Sequence, residues 1–260
     1  MRDLRIVIPA YNEEKSIGEI TDKVRNAYAE GEAIVVDNAS SDRTAEIAHA
    51  KSVKLISNPT NLGYGMAPKV ELTHNDDSKR IVRYLAFLDT DGTYPGEKIT
   101  DLYNLCRTKG YDLIVVSRLI ETNKSMPFVR KMENRIFAML ASVYAGKKVT
   151  DTGSGLRVFQ VYLLPWLEDT CDGLNFTPAM TTRSLSDGLA YAEVPIEYNE
   201  HVGGGKLCSL RDGYQFRKVI TNATRQRRPL KFYCTFGVPL LLIETLVKIT
   251  SALQGKGRMN

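Results

Sequence analysis

The sequence lacks the patterns that mark several common protein classes. Its four cysteines are scattered, with no CxxC pair and no cysteine–histidine ligand spacing, which indicates reduced thiols in a cytosolic protein. No long apolar stretch follows the first residues, so no signal peptide is predicted. Neither GxGxxG nor GxxxxGKS/T occurs, so any bound nucleotide must be held by a motif other than a Rossmann fingerprint or a P-loop.

The 260 residues are 43% hydrophobic and 25% charged, a balance that suits one large domain with a sizeable core. The first two thirds alternate short apolar runs with helical patterns. The predicted strands are Leu4–Ala10, Ala33–Asp37, Val53–Ser57, Tyr84–Asp89 and Asp112–Ser117. The predicted helices are Glu13–Ala29, a segment capped by Ser41 or Asp42 that ends at Ala50, and Glu97–Lys109. This alternation predicts an α/β fold with a mostly parallel central sheet covered by helices on both faces.

The last third has a different pattern. A helix at Phe128–Ala145, a strand at Tyr191–Tyr198 and an amphipathic helix at Arg211–Gln226 are predicted, followed by an apolar run at Phe232–Ile243. A helix that spans a membrane needs about 20 apolar residues. This shorter run therefore indicates an interfacial helix or the start of an anchor, with a helix packed on the core as the alternative. We predict a catalytic domain over residues 1–226 and a membrane-associating tail over 227–260.

The net charge of +5 is concentrated near that tail. Eight lysines and arginines stand between Lys206 and Lys231, against the single acid Asp212. A basic segment beside an apolar one favours an anionic membrane surface over nucleic acid as the partner. The chain is accordingly predicted to work at the cytoplasmic face of a membrane, peripherally bound or anchored by its tail.

Charged side chains follow three of the predicted strands. Asp37 ends the second strand, the segment Asp89-Thr90-Asp91 ends the fourth, and Arg118 follows the fifth. Ligands bind open parallel sheets at the carboxyl ends of the strands, although a single acid there is often only a helix cap. Two carboxylates two residues apart can hold one hard cation against a diphosphate. The D-x-D segment therefore predicts a site for a metal-bound leaving group.

Six motifs occur in an order that resembles glycosyltransferase family 2, with its GT-A fold, and within it the dolichol-phosphate mannose synthase-like branch. They are IPAYNEE (8–14), VVDNASSDRT (35–44), NLGYGMA (61–67), FLDTDGTYP (87–95), DTGSGLRVF (151–159) and AEVPIEY (192–198). The resemblance implies an inverting enzyme that moves a hexose, mannose or glucose, from a GDP- or UDP-sugar to a polyprenyl phosphate such as dolichyl phosphate.

The resemblance also implies a donor site. The positions that match the family's donor-binding residues are Pro9, Tyr11, Glu13, Val36, Asp37, Asp89, Thr90, Asp91, Arg118, His201 and Lys206. Asp89 and Asp91 would hold Mg²⁺ or Mn²⁺ against the diphosphate, and Thr93 stands where some relatives have another metal contact. Asp37 would accept hydrogen bonds from ribose or base.

The implied acceptor site consists of Arg118, Arg130 and Asn134, whose counterparts bind phosphate. Arg130 and Asn134 stand four residues apart on a predicted helix, so they share one face. Arginine suits this role because its guanidinium makes planar, bidentate contacts with phosphate. Solvent-facing arginines are the alternative interpretation.

The chain departs from the family pattern at several positions. His201 and Gly205 replace an arginine and a serine before Lys206, and His201 should be mostly neutral at pH 7 because its ordinary pKa is about 6.5. Asn38 replaces a second aspartate after the second strand. Ala179 replaces a glutamate, which puts any glutamate contact with the acceptor in doubt.

Asp91, Asp151, Arg118 and Arg130 are the predicted catalytic residues. A phosphate acceptor is already anionic and needs little help from a base, so the cations would mainly screen the repulsion between two anions. Asp151 is predicted to be a base, or to orient Arg157 or Arg130, with a capped turn as the alternative. Arg157 is expected to support the structure rather than touch a substrate.

Three competing interpretations remain open from the sequence. The same enzyme could act on a soluble glycan hydroxyl, which would require a true base. The substitutions at positions 179, 201 and 205 could instead mark a nucleotide-binding scaffold without turnover. A magnesium-dependent nucleotidyltransferase fits the ordered motifs poorly.

Overall fold

The computed structural model describes residues 3–29, 32–51, 53–73, 81–90, 92–118, 128–165 and 176–196, together with Leu230 and Tyr233. Asp91, His201 and Lys206 lie outside these residues, as do the predicted helix at 211–226 and the apolar run. The proposed division at residue 226 therefore stays a prediction. Within the described part of the chain, no helix combines the length and the hydropathy needed to cross a membrane.

The centre of the fold is a seven-stranded sheet with the order β3-β2-β1-β4-β6-β5-β7. Its strands are β1 Leu4–Ala10, β2 Glu32–Asp37, β3 Lys54–Ser57, β4 Tyr84–Phe87, β5 Leu113–Ser117, β6 Arg157–Gln160 and β7 Tyr191–Pro195. Every pairing is parallel except those of β6, which runs antiparallel to both β4 and β5. The prediction of a mostly parallel sheet is confirmed. β6 was not predicted, because a buried arginine interrupts a strand of only four residues.

Six α-helices flank the described strands. They are α1 Ile17–Ala27, α2 Thr44–Ala50, α3 Ala67–Thr73, α4 Ile99–Lys109, α5 Phe128–Ala145 and α6 Phe176–Ser186. α3 and α6 were not predicted. α1 begins four residues later than the predicted Glu13, because residues 13–16 form a turn in which the Ser16 N–H donates to the Glu13 carbonyl at 3.1 Å.

The core lies on both faces of the sheet, as the continuous apolar strands predicted. Successive residues of β1 alternate between the two layers: Ile6 and Ile8 pack with α1 and α4, and Val7 packs in the other layer. That second layer includes Phe87 of β4 and Phe176 of α6, whose ring centroids lie 5.4 Å apart. The layers fix the positions of the strand ends that carry the polar residues.

The direction of β6 brings another segment to the edge where the parallel strands end. β1, β2, β4 and β5 run the same way, so their carboxyl ends share one edge of the sheet. Because β6 is antiparallel, its amino end lies at that edge. The turn of residues 150–156 that leads into β6 therefore meets the residues that follow β4 and β5.

Candidate functional site

The loops after β1 and β2 are tied to each other by side-chain hydrogen bonds. The Asn12 N–H donates to Ser40 Oγ at 2.9 Å, and the Ser41 N–H donates to Asn12 Oδ1 at 2.8 Å. The Glu13 N–H donates to Thr44 Oγ1 at 2.7 Å. Asn12 and Ala39 have left-handed φ angles of 53° and 62°. Such conformations cost energy in non-glycine residues, so the network fixes a strained pair of loops.

The predicted donor residues differ in accessibility. Tyr11 exposes 42% of its surface, enough for a ring face to meet a planar ligand, while Asp37 is 4% exposed. The Glu13 carboxylate accepts a hydrogen bond from Ser16 Oγ at 3.1 Å. Val36 is 1% exposed within the apolar core and pairs with both Pro9 and Ile56 in the sheet. Any contact between Val36 and a donor is therefore limited to its main chain.

Asn38 joins the ends of β2 and β3. Its Nδ2 donates to Asn61 Oδ1 at 2.9 Å. Its Oδ1 accepts hydrogen bonds from Asn58 Nδ2 at 3.2 Å and from the Leu62 N–H at 2.9 Å. An aspartate could accept these bonds but could not donate to Asn61. The departure from the family pattern at this position therefore has a structural role that the sequence did not reveal.

Asp89 lies in a close-fitting cradle at the end of β4. The hydroxyl of Tyr64 donates to Asp89 Oδ1. A Cβ added to Gly155 would lie 1.7 Å from Asp89 Oδ2, so glycine at this position makes room for the carboxylate. The Gly155 N–H donates to the Tyr94 hydroxyl at 2.8 Å. Burial and the neighbouring Asp89 raise the pKa of Tyr64 well above its ordinary value, which keeps this hydroxyl a donor.

Thr90, the middle residue of the D-x-D segment, and Thr93 just after it are both buried. Thr90 is 5% exposed and donates from Oγ1 to the Pro9 carbonyl at 3.0 Å, which links the ends of β1 and β4. Thr93 is completely buried. Asp91 lies outside the described residues, so its predicted roles in metal binding and catalysis stay predictions.

The chemistry of the cradle fits a divalent cation. Carboxylate oxygens are ligands that a hard ion prefers, and Asp89 has two of them at the end of β4. The described residues contain no group of three or more histidine, cysteine, aspartate or glutamate side chains that could hold a metal by themselves. A metal here would need Asp91 and oxygens from a ligand to complete its shell.

Arg118 and Asp151 form a buried, bidentate ion pair at the end of β5. Arg118 Nε donates to Asp151 Oδ2 at 2.7 Å and its Nη2 donates to Oδ1 at 2.8 Å. The Arg118 N–H also donates to Oδ2, at 3.2 Å. The Asp151 side chain is fully buried and that of Arg118 is 10% exposed. The pair thus presents a guanidinium with fixed orientation at the edge where the strands end.

This geometry changes the predicted role of Asp151. The structure pairs it with Arg118 rather than with the suggested Arg157. The Gly153 N–H donates to Asp151 Oδ1 at 3.0 Å, so the residue also caps its turn, which was the alternative interpretation. Both oxygens of this buried carboxylate already accept hydrogen bonds from Arg118, which leaves little room for contact with a substrate. The contacts favour a positioning role.

Arg157 supports the structure, as expected. Its Nη1 donates to the Thr177 carbonyl at 2.7 Å and its Nη2 donates to the Thr152 carbonyl at 2.9 Å. Its Nε donates to the Ser154 carbonyl at 2.8 Å. Burial lowers the pKa of this fully buried arginine. These bonds fasten the turn before β6 to the start of α6.

The predicted acceptor helix is present as α5. Asn134 is half-buried and lies on the same helix face as the buried Ala138, Ala141 and Ala145. Arg130 stands one turn before Asn134 on this helix, and its side chain is outside the described part of the structure. In α6, Ala179 is 4% exposed, so the glutamate that relatives carry here would be buried in an apolar layer.

Comparison with known proteins identifies the family. The model of glycosyl transferase family 2 matches residues 5–165. The dolichyl-phosphate hexose transferase of Haloferax volcanii is 32% identical over 235 residues, which cover 87% of this chain and 96% of the relative. The undecaprenyl-phosphate mannosyltransferase of Micrococcus luteus is 28% identical, over 84% of this chain and 91% of the relative.

Solved structures show the same fold. Glucosyl-3-phosphoglycerate synthase from Mycobacterium tuberculosis, crystallised with Mn²⁺, UDP and glucosyl-3-phosphoglycerate, superposes with a TM-score of 0.65 at 21% identity. The match covers 87% of this chain and 80% of that chain. Together with the family model and the relatives, this likeness confirms the sequence-based assignment. The chain belongs to glycosyl transferase family 2 and is a glycosyltransferase with a GT-A-like fold.

Proposed function

We propose that this enzyme transfers a hexose from a GDP- or UDP-sugar to a polyprenyl phosphate, with inversion at the anomeric carbon. The observation that carries the proposal is the buried Arg118–Asp151 pair at the carboxyl edge of the sheet. A guanidinium held in one orientation suits a phosphate ligand, because its planar array of N–H donors matches phosphate oxygens. Two relatives named as dolichyl- and undecaprenyl-phosphate sugar transferases support the same acceptor class.

Three carboxylates that the structure describes at this edge, Asp37, Asp89 and Asp151, support a phosphate acceptor over a sugar hydroxyl. A hydroxyl must lose a proton as it attacks, so its enzyme needs an accessible base. Asp37 is 4% exposed and Asp151 is fully buried in its ion pair. Asp89 accepts a hydrogen bond from Tyr64 and packs against Gly155. A phosphate is already an anionic nucleophile, so these three residues can bind and orient without taking a proton.

The donor would lie over the ends of β1, β2 and β4. We propose that the ring of Tyr11, which is exposed, stacks on the base, and that Asp37 accepts a hydrogen bond from ribose or base. We propose that Asp89 and Asp91 hold Mg²⁺ or Mn²⁺, which would offset the charge that develops on the leaving diphosphate. Lys206 is proposed to add positive charge beside the diphosphate, and His201 to donate a hydrogen bond to it as a neutral imidazole or to add a charge when protonated.

The acceptor phosphate would meet Arg118, Arg130 and Asn134. Two anions must approach each other for the in-line displacement, and fixed cations lower the energy of that approach. Because Asp151 already orients Arg118, the arginine does not have to rearrange as the two anions approach each other. The neutral Asn134 amide can donate a hydrogen bond without adding charge.

A membrane position follows from the outer face of α5. Met132, Ile136, Met139 and Val143 recur every three or four residues and are 42–60% exposed, so they form one apolar stripe. Arg135 is exposed on the same helix, and Lys147 and Lys148 are exposed just after it. An apolar stripe with flanking cations is suited to the interface of an anionic membrane. We propose that α5 and the basic tail both contact the cytoplasmic membrane surface.

The test is a transfer assay with Mg²⁺ or Mn²⁺, labelled GDP- and UDP-hexoses, and dolichyl or undecaprenyl phosphate in detergent. Label that moves into the lipid fraction, and is lost with a chelator or in Asp91→Ala, supports the proposal. Transfer of label only to a glycan hydroxyl would show that the acceptor is a glycan and not a polyprenyl phosphate. A chain that binds no donor by calorimetry would instead be a nucleotide-binding scaffold without turnover.

A further inference from the structure

Glu193 of the edge strand β7 is a focus of hydrogen bonds near the site. The Thr150 N–H donates to its Oε2 at 2.9 Å and the Asp151 N–H donates to its Oε1 at 3.2 Å. The hydroxyl of Thr150 donates to Oε2 at 2.5 Å, and that of Tyr191 donates to Oε1 at 2.7 Å. One half-buried carboxylate thus receives four donors, two of them main-chain groups in the turn of residues 150–156.

These bonds reach Arg118 through one intermediate residue. Glu193 holds the main chain at Thr150 and Asp151, and the Asp151 carboxylate then holds the Arg118 guanidinium at 2.7 and 2.8 Å. Ser117, next to Arg118, shares a 2.8 Å hydrogen bond between its hydroxyl and that of Thr150. The turn is therefore fixed both to β7 and to the end of β5.

Both carboxylate oxygens of Glu193 are needed as acceptors for this arrangement. Two carboxylate oxygens provide about four acceptor positions, which the four donors fill. A glutamine has one acceptor oxygen, and its amide group would place N–H donors against those of Thr150 and Asp151. The isosteric change should therefore let the turn shift without leaving a cavity.

We propose that Glu193 is a positioning residue for phosphate recognition, which sets the orientation of Arg118 through Asp151. It does not touch the substrate. Its side chain determines where the turn of residues 150–156 lies, and hence where the guanidinium points. This inference rests on the proposed function insofar as Arg118 is taken to bind the acceptor phosphate.

The kinetic test compares Glu193→Gln with Glu32→Gln. Glu32 is a matched control, because it is also a half-buried strand glutamate, paired with Arg5 at the opposite end of the sheet. With undecaprenyl phosphate in detergent as acceptor, Glu193→Gln should raise the KM for the lipid about tenfold, the effect expected for losing a hydrogen bond to a charged group. The KM for the nucleotide-sugar should change less than twofold, and Glu32→Gln should leave both values unchanged.

A second measurement follows Arg118 directly. In ¹⁵N NMR spectra the Nε–H of a guanidinium bound to a carboxylate gives a separate, slowly exchanging signal, which Arg118→Lys would identify. Glu193→Gln should shift or broaden this signal, and Tyr191→Phe, which keeps the charge, should have a smaller effect. An unchanged signal with an unchanged lipid KM would overturn the inference. If the signal shifts but the natural protein labels no lipid, then Glu193 still positions Arg118, and the proposed polyprenyl phosphate acceptor is wrong.

Discussion

The two sides of the site are held together by different kinds of interaction. On the side of β1, β2 and β3, the loops are joined by many single hydrogen bonds from asparagine, serine and threonine, such as Asn12 to Ser41 and Asn38 to Asn61. On the side of β5, β6 and β7, one buried ion pair and one glutamate carry the contacts of the turn. The first side is therefore stabilised by many separate contacts, and the second by contacts concentrated on a few residues.

This difference predicts unequal tolerance to substitution. Loss of one bond in a distributed network leaves the neighbouring bonds to hold the loop, at a cost of about 1 kcal/mol. Loss of one partner from a buried ion pair leaves an uncompensated charge, which costs about 3–5 kcal/mol. The proposed nucleotide side can therefore change in sequence more easily than the proposed phosphate side.

Asp151→Asn should have the largest effect. It leaves Arg118 buried without a compensating charge, so the free energy of unfolding should fall by about 3–5 kcal/mol and transfer should be lost. Asp42→Asn is the control on the other side: Asp42 accepts from the Thr44 N–H at 3.0 Å at the start of α2, an asparagine oxygen can still accept this bond, and the change should cost less than about 1 kcal/mol. Urea unfolding measures both. Equal losses would remove the distinction between the two sides.

Gly155→Ala should have the next largest effect on stability. Gly155 lies where the turn before β6 meets Asp89 after β4, so the change affects both sides of the site. Its Cβ would lie 1.7 Å from Asp89 Oδ2, so either the carboxylate or the turn must move. Overpacking of this kind costs about 1–3 kcal/mol, and Mn²⁺-dependent binding of the nucleotide-sugar should weaken with it. Calorimetric titration of Mn²⁺ and donor together gives the second readout.

Gly18→Ala in α1 is the matched control for that change. A Cβ there would lie 3.3 Å from Ile47 Cγ2, a tight contact that a small movement of the Ile47 side chain relieves, and alanine favours the helix. Its stability should stay the same or rise. If Gly155→Ala behaves in the same way, then Asp89 does not depend on the absence of a side chain at position 155.

The sequence predicted the parts of this molecule that follow from local pattern. Continuous apolar runs predicted β1 to β5, and the acids after β2 and β4 placed Asp37 and Asp89 at the correct edge. β6 was missed, since its arginine is satisfied only by carbonyls such as that of Thr177, which are remote in sequence. Local pattern contains no information on such partners.

The same reason explains the missed site residues. Tyr64, Gly155 and Glu193 act through contacts with Asp89 or Asp151 that join distant parts of the chain. The sequence placed Asp151 in the site and suggested Arg157 or Arg130 as its partner. The structure pairs it with Arg118 instead of Arg157, and the suggested contact with Arg130 stays a prediction. Tyr64, Gly155 and Glu193 all lie in motifs that resemble family 2, which marks their segments, but the local pattern assigns no role to a glycine before a strand or to a glutamate within an edge strand. The antiparallel direction of β6 brings the turn with Gly155 to Asp89.

Asn38→Asp tests the side of β1, β2 and β3, and it introduces the aspartate that the family pattern has at this position. The aspartate would turn an acceptor oxygen toward Asn61 Oδ1, where Asn38 Nδ2 donates at 2.9 Å, and it would add a charge at a buried position. The free energy of unfolding should fall by about 1–2 kcal/mol. Asn104→Asp, at an exposed position of α4, should change it by less than about 0.5 kcal/mol. Equal values for the two variants, measured by urea unfolding, would show that the Asn38 amide does not hold the β3 loop.

Tyr191→Phe should have the smallest effect: a loss of about 1 kcal/mol at neutral pH from its hydrogen bond to Glu193, and a changed dependence of stability on pH that is confined to alkaline pH. Burial raises the pKa of Tyr191, and its contact with Glu193 raises it further, so the folded protein keeps a proton that the unfolded chain releases above about pH 10. The contribution of Tyr191 to the free energy of unfolding should thus be fully present below pH 10. Above pH 10 it should fall, by up to about 1.4 kcal/mol per pH unit for this one proton.

The expected result is a shallower loss of stability between pH 10 and 11 in Tyr191→Phe than in the natural chain. Tyr103→Phe calibrates the effect, because burial and its hydrogen bond to Asp3 raise the pKa of Tyr103 to about 12, at a position remote from Glu193. Urea unfolding at pH 9, 10 and 11 measures both slopes. Tyr103→Phe could make stability fall less steeply with pH while Tyr191→Phe does not. In that case the Tyr191 hydroxyl is not bound to Glu193, and the side of β5, β6 and β7 has one stabilising contact fewer than the structure indicates.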